Sequence, residues 1–241
     1  MQVALSVVVP VKDEAENVEL LVREIAAAIG GEASAEIVFV DDGSSDATAQ
    51  VLGYLKPSLP LLRVIQHSRN MGQSRAVRTG VRASRGEIVV VLDGDGQNDP
   101  ADIPRLVGAF RQGDTARIGL VQGQRAQRRD SAKKRLASRL ANRIRRSLLN
   151  DGANDVGCGL KAFRREAFLA LPYFDHMHRY MVALMLREGY EVRFVEVNHR
   201  PRLHGTSKYG VWDRLVVGIY DLVGVRWLQR RYRGAVDTKE V

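Results

Sequence analysis

The sequence predicts an α/β protein: one domain on a mostly parallel sheet flanked by helices, followed by a C-terminal amphipathic helix. Three observations carry this. Apolar runs rich in β-branched residues alternate with segments of helical period through the first hundred residues, the order expected when crossover helices join parallel strands. Three of those runs end in acids: Lys12-Asp13-Glu14, Asp41-Asp42 and Asp93-Gly94-Asp95. The 241 residues, 45% hydrophobic and 27% charged, are enough to bury a sizeable core. The single cysteine, Cys158, leaves no internal disulfide and fits a reducing compartment.

The elements follow in order. Residues 3–9 read as a strand ended by Pro10. Residues 17–29 read as a helix with Val18, Leu21, Val22 and Ile25 on one face, stopped by Gly30-Gly31. A strand at 36–40 precedes a helix at 45–55, with Ser44 or Ser45 as N-cap. A strand at 61–66, a helix at 72–83 and a strand at 87–92 complete the alternation. The rhythm then changes: a short helix at 101–111, a strand at 118–123, a long helix at 131–149, and a strand within 156–164. Helices at 166–171 and 180–188, a strand at 190–197 and a polar loop at 199–209 lead into a last helix at about 211–232.

Asp93-Gly94-Asp95 is the most informative feature. If strand geometry continues past Leu92, residues two apart face the same side and the two carboxylates stand together. Paired carboxylates suit a hard divalent cation, which Mg²⁺ sites complete with ligand phosphates. Asp-Gly is also a common turn pair, and each acidic cluster taken singly reads as turn or helix-cap chemistry. Three clusters on one edge of a parallel sheet favour a ligand site.

The net charge of +9 points to an anionic partner: nucleic acid, a membrane surface or phosphorylated ligands. Residues 125–146 carry arginines and lysines against a single acid, Asp130. Leu136, Leu140, Ile144 and Leu148 form an apolar stripe beside Arg135, Arg139 and Arg143. Such a basic amphipathic helix suits a membrane surface or an anion. Nucleic acid is disfavoured, because the stretch lacks aromatic residues for base stacking and no nucleic-acid module is recognisable. The last helix puts Trp212, Leu215, Val216, Ile219, Leu222, Val223 and Trp227 on one broad face, which suits either the membrane interface or a core or dimer contact. No apolar run is long enough to span a bilayer and no signal segment opens the chain, so a peripheral protein at the cytoplasmic face of the membrane is expected.

The sequence resembles the family 2 glycosyltransferases of the GT-A (Rossmann-like) fold, in the polyprenyl-phosphate branch typified by dolichyl-phosphate mannosyltransferase. The matching segments are 6–17, 38–48, Asn70-Met71-Gly72-Gln73, 92–100, 157–165 and 199–209. The resemblance implies a catalytic domain over 1–209, with a nucleotide-sugar half (1–100) and an acceptor half (101–209), and a helical tail over 210–241. It implies that Pro10, Val11 and Glu14 line the nucleotide pocket, that Asp41 or Asp42 bonds the base, and that Gly72 and Gly94 belong to the nucleotide-sugar site. Asp93 and Asp95 match the family's DxD motif and, with Gln97, would hold Mg²⁺ or Mn²⁺. Arg125, Arg139, Arg202, Ser207 and Lys208 would meet the acceptor phosphate, with Asp95, Arg139 and Arg202 central to catalysis. Relatives often carry Ala and Leu where this chain has Gly94 and Gly96, a change expected to loosen the loop.

The implied reaction moves a sugar from a GDP- or UDP-sugar to a polyprenyl phosphate with inversion, and an ionised phosphate acceptor demands no strong base. Transfer to a saccharide or protein hydroxyl would need one, and Asp155 is then the residue to test. A basic nucleic-acid-binding protein is the non-enzymatic alternative. The G-x-G-x-x-A pattern at 157–162 reads as chance, the five histidines show no metal-ligand spacing and read as structural or exposed, and Cys158 reads as a small buried residue.

Overall fold

A computed structural model describes residues 4–32, 34–112, 117–125, 145–153, 155–202 and 211–234, with the backbone alone at 211–217. β1 (Leu5–Val11) opens the chain and lies inside the sheet. α1 (Ala15–Ala28), β2 (Ala35–Asp41), α2 (Thr48–Leu55), β3 (Leu62–Gln66), α3 (Gln73–Ala83) and β4 (Ile88–Val91) follow. After them come α4 (Ile103–Ala109), β5 (Ile118–Arg125), β6 (Lys161–Arg164), α5 (Arg165–Ala170), α6 (Met181–Arg187), β7 (Glu191–Val197) and α7 (Val211–Arg231).

The seven strands lie in the order β3-β2-β1-β4-β6-β5-β7. All neighbours are parallel except β6, which runs antiparallel to both β4 and β5. β2 and β4 flank β1 on opposite sides, so the strand order reverses at β1. The crevice at the carboxyl ends of such a switch point is where open α/β sheets bind ligands.

Successive residues of β1 serve opposite cores. Val7 and Val9 join Leu21, Ile25, Ile37, Phe39, Leu52 and Ile103 on the face covered by α1, α2 and α4. Val8 joins Val38, Val40, Val77, Val81, Phe163, Phe168 and Leu184 on the face covered by α3, α5 and α6. Burial on both faces explains why these strands are continuously apolar rather than alternating. α1 buries the predicted face, Val18, Leu21, Val22 and Ile25.

Several local expectations change. α2 begins at Thr48, with no side-chain cap at Ala47. Ser44 and Ser45 are drawn away because they bond Asp13 instead. The strand expected in 156–164 is confined to Lys161–Arg164, since the preceding residues turn to form a wall of the cleft. Of the helix expected at 131–149, only 145–149 lies within the described residues, and it is helical. Its Arg145 pairs with buried Asp151 and donates to the Ala153 carbonyl at 2.6 Å.

Among its described side chains, α7 divides its apolar residues rather than presenting one face; Trp212, Leu215 and Val216 of the expected face lie outside them. Val225 is buried and Leu222 and Leu228 pack on the second core. Tyr180 Oη donates to the Gly218 carbonyl at 3.0 Å and Arg187 Nε to the Leu228 carbonyl at 3.1 Å. Ile219, Tyr220, Val223 and Trp227 stay exposed.

Candidate active site

A cleft of about 530 Å³ opens over the carboxyl ends of β1 and β4. One wall comes from the first half of the chain: Pro10, Val11, Lys12, Glu14, Asp42, Asn70 and Gln73. Its loops are tied by backbone donors to carboxylates. Asp42 accepts the Met71 and Gly72 N–H groups at 2.9 and 2.8 Å and meets His67 Nδ1 at 2.6 Å. Asp13 accepts the Ser45 N–H at 2.7 Å, and Lys12 Nζ donates to the Gly43 carbonyl at 3.0 Å. Of the two aspartates expected at the base, Asp42 lines the cleft. Asp41 is fully buried, accepting from Ser44 N–H and Gln66 Nε2. Gly72 caps α3 at φ +85°, the left-handed region, and serves through its N–H to Asp42.

Asp93, Gly94, Asp95 and Gln97 form the floor. They do not continue the strand: β4 ends at Val91 and the chain turns at 94–95. The carboxylates still share the cleft, because the turn folds back on itself, Gln97 N–H donating to Asp95 at 3.1 Å and Asp93 N–H to Asn98 Oδ1 at 3.0 Å. Nor do the two glycines loosen the loop. A Cβ on Gly94 would lie 2.4 Å from Val11 Cγ1, and Gly96 sits at φ +72°, so each satisfies a local steric demand.

Asp93 accepts from Gln73 Nε2 at 2.7 Å. Burial first, and then the charge of Asp95, push its carboxyl above the usual range, while Lys161 and Arg125 oppose the shift. Gly159 lies against Asp93, where a Cβ would come within 2.1 Å of Oδ2. Two hard carboxylates in one cleft, beside an amide oxygen on Gln97, fit Mg²⁺ or Mn²⁺ in donor type. Among the described residues, no group of three or more His, Cys, Asp or Glu side chains gathers as a metal site, so the remaining ligands would come from water and phosphate oxygens.

The opposite wall is cationic. Lys161 is buried, donates to the Cys158 carbonyl at 2.6 Å, and is held below the usual lysine range by burial. His178 and Arg179 line the same side. Arg202, expected at the acceptor, pairs with Asp95. Its backbone is led there because Arg200 N–H donates to the Gln97 carbonyl at 2.9 Å, Asn98 bridges His199, and the Arg200 side chain reaches Glu24 and Asp99. Arg125 grips Asp155 bidentately at 2.6 and 2.7 Å and does not line the cleft. Arg139, Ser207 and Lys208 lie outside the described residues. Cys158 is buried, as expected, with its thiol pushed up by desolvation.

Sequence reasoning missed Gln73, Gly159, Lys161 and His178. Lys161 had a signal: a lysine between Leu160 and Ala162 in an otherwise apolar run. The glycines at 157 and 159, read as chance, also mark a close approach of backbone to a side chain.

The arrangement has the GT-A fold of nucleotide-sugar-dependent transferases. Glucosyl-3-phosphoglycerate synthase from Mycobacterium tuberculosis, solved with UDP, superposes with a TM-score of 0.68 at 21% identity, over 94% of this chain and 79% of that one. The same enzyme has been solved with Mn²⁺, UDP and phosphoglyceric acid. The chain belongs to glycosyltransferase family 2, whose sequence profile (Glycosyl transferase family 2) matches residues 6–171. Dodecaprenyl-phosphate galacturonate synthase of Rhizobium johnstonii is 34% identical over 231 residues, 94% of this chain and 67% of that protein. Undecaprenyl-phosphate 4-deoxy-4-formamido-L-arabinose transferase of Edwardsiella ictaluri is 38% identical over 222 residues, 91% of this chain and 66% of that protein. The chain thus spans about two thirds of the length of these relatives.

Proposed function

We propose that the protein transfers a sugar from a nucleotide diphosphate sugar to the phosphate of a polyprenyl lipid at the cytoplasmic face of the membrane, with inversion. An acceptor phosphate oxygen attacks the anomeric carbon. The bond from that carbon to the diphosphate breaks, and its electron pair leaves on the nucleoside diphosphate. Pro10, Val11, Glu14 and Asp42 would seat the nucleotide. Asp93, Asp95 and Gln97 would hold Mg²⁺ or Mn²⁺, which supplies charge neutralisation for the departing diphosphate.

One observation carries the choice of acceptor. Asp155, the residue a hydroxyl acceptor would need as base, has both oxygens taken by Arg125, while the wall facing the aspartates offers Lys161, Arg179 and Arg202. Cations suit an acceptor that is already an anion, and arginine forks match phosphate oxygens. Arg202 would exchange Asp95 for that phosphate, and Arg139, Ser207 and Lys208 would join it from the later loops. The named substrates of the relatives, all prenyl phosphates, support the same reading.

Membrane attachment would use α7. Ile219, Tyr220, Val223 and Trp227 are 56–76% exposed, and Arg230 and Arg231 are exposed at the helix end. That combination fits an anionic bilayer surface. No described helix is long and apolar enough to cross a membrane.

The test is a donor screen: purified protein, Mn²⁺ or Mg²⁺, a short prenyl phosphate and radiolabelled UDP- or GDP-sugars. Metal-dependent passage of label into the organic phase, falling about 1,000-fold in Asp95→Ala, is expected. Release of nucleoside diphosphate with label left in water would displace the lipid acceptor in favour of another.

A further inference from the structure

Histidine spacing gave no reason to place any histidine in the site, yet His178 lines the cleft beside Lys161 and Arg179. It sits in a 3₁₀ turn, Met177–Arg179, entered through His176 in the left-handed region at φ +62°. Its neighbours Met177 and Tyr180 are buried in the core, so the turn is anchored on both sides and the imidazole is fixed. Ser74 Oγ lies 2.7 Å from His178 Nδ1, and the His178 backbone N–H points at the same oxygen at 3.5 Å. In the tautomer where Ser74 Oγ accepts from the backbone and donates its own proton to Nδ1, the ring proton stands on Nε2. Among the described residues, nothing bonds Nε2.

The place of His178 relative to the aspartates follows from α3. Gln73 bonds Asp93 and its neighbour Ser74 bonds His178, so the first turn of α3 ties both the floor carboxylate and the imidazole. Pro10, Val11, Glu14 and Asp42 occupy the other flank of the floor. With the nucleotide against that wall and the diphosphate over Asp93 and Asp95, the group attached to the far phosphate comes to the His178 side.

We propose that His178 is a specificity-determining contact to the transferred sugar, donating a hydrogen bond from Nε2–H to a sugar oxygen. This rests on the transferase reading above. Among the described residues its ring has cations for neighbours and no carboxylate partner, and burial first, then Lys161, hold its pKa well below the ordinary histidine value. It is thus a neutral donor at physiological pH, suited to a hydroxyl or carboxylate oxygen.

The test separates sugar from nucleotide. Wild-type protein with Mn²⁺ is titrated calorimetrically with UDP and GDP, and with UDP-glucose, UDP-galactose, UDP-glucuronate, UDP-galacturonate and GDP-mannose. For the best-bound sugar nucleotide, His178→Ala lowers affinity about tenfold and leaves affinity for the bare nucleotide unchanged. His178→Gln, which keeps an N–H near the Nε2 position, recovers most of the loss. Ser74→Ala, which keeps the ring but frees it to turn, gives a smaller loss of the same kind and serves if the alanine variant at 178 does not fold. Equal losses for nucleotide and sugar nucleotide, or no loss for either, overturn the proposal and leave His178 a packing residue. A wild-type protein that binds no nucleotide at all overturns the transferase reading, and the proposal with it.

Discussion

The two walls of the cleft are held by different chemistry. On the wall built from the first half of the chain, carboxylates accept from backbone N–H groups: Asp42 from Met71 and Gly72, Asp41 from Ser44, Asp13 from Ser45. Those bonds join protein to protein backbone and have no reason to change when a ligand arrives. On the far side, cations hold acids or carbonyls: Arg202 on Asp95, Lys161 on Cys158 and, behind the lining, Arg125 on Asp155. Such pairs can trade a protein anion for a ligand anion. The first wall is therefore preorganised, and the second is exchangeable.

The sharpest way to break this contrast is at their junction. Gly159→Ala would drive a Cβ to 2.1 Å from Asp93 and 2.8 Å from Asn98 Oδ1, displacing a floor carboxylate without removing it. Transfer should fall about 100-fold in the radiolabel assay while circular dichroism stays native. Retained activity would mean that Asp93 need not sit where it does.

Next in size is the preorganised wall itself. Asp42→Asn replaces an acceptor of two backbone N–H groups and His67 by a group that must present a donor to one of them. A loss of about 2 kcal/mol in urea-induced unfolding is expected, larger than for Asp155→Asn, whose partner Arg125 keeps 16% of its side chain exposed and can turn a freed N–H to water. Equal losses would erase the distinction between the walls.

Arg202→Ala tests exchangeability. With the guanidinium gone, Asp95 faces a dication without competition, so Mn²⁺ affinity should rise about tenfold by electron paramagnetic titration, while transfer falls. Unchanged Mn²⁺ affinity would show that the ion and Arg202 occupy Asp95 together.

The smallest effect is a pH slope. His178 has a folded pKa well below its ordinary value of 6.5, so its stabilising contribution is complete above pH 6.5. It is lost as the pH falls from 6.5 toward the depressed folded value, where the unfolded chain binds a proton that the folded one refuses. His178→Gln should flatten the dependence of Tm on pH over that range. An identical slope in both proteins would mean that the imidazole ionises as freely folded as unfolded.

The first half of the molecule was legible because its information is local. Strands buried on both faces write themselves as apolar runs, α1 as a face of Val18, Leu21, Val22 and Ile25, and Asp93 and Asp95 as acids following a strand. The details that failed depend on contacts across the chain. Ser44 and Ser45 read as caps until Asp13, some thirty residues earlier, claims them. The reversed direction of β6 has no signature in four residues. Gly94 reads as slack until Val11 is set against it. His178 is invisible for the same reason: Ser74 is 104 residues away, and no spacing rule reaches so far.

Arg202 on Asp95 has a consequence for the order of events. The loop bearing Arg202 is clipped to the floor through Arg200 and Gln97, so it cannot drift off when its partner is lost. With a metal at Asp95, as proposed above, the arginine would compete with the ion for the carboxylate. Donor and ion would have to enter first and evict the arginine, and only then would it be released for the acceptor. Initial rates should follow a compulsory sequence, with the acceptor binding second and nucleoside diphosphate leaving last, and the free prenyl phosphate alone should neither bind tightly nor inhibit at low donor.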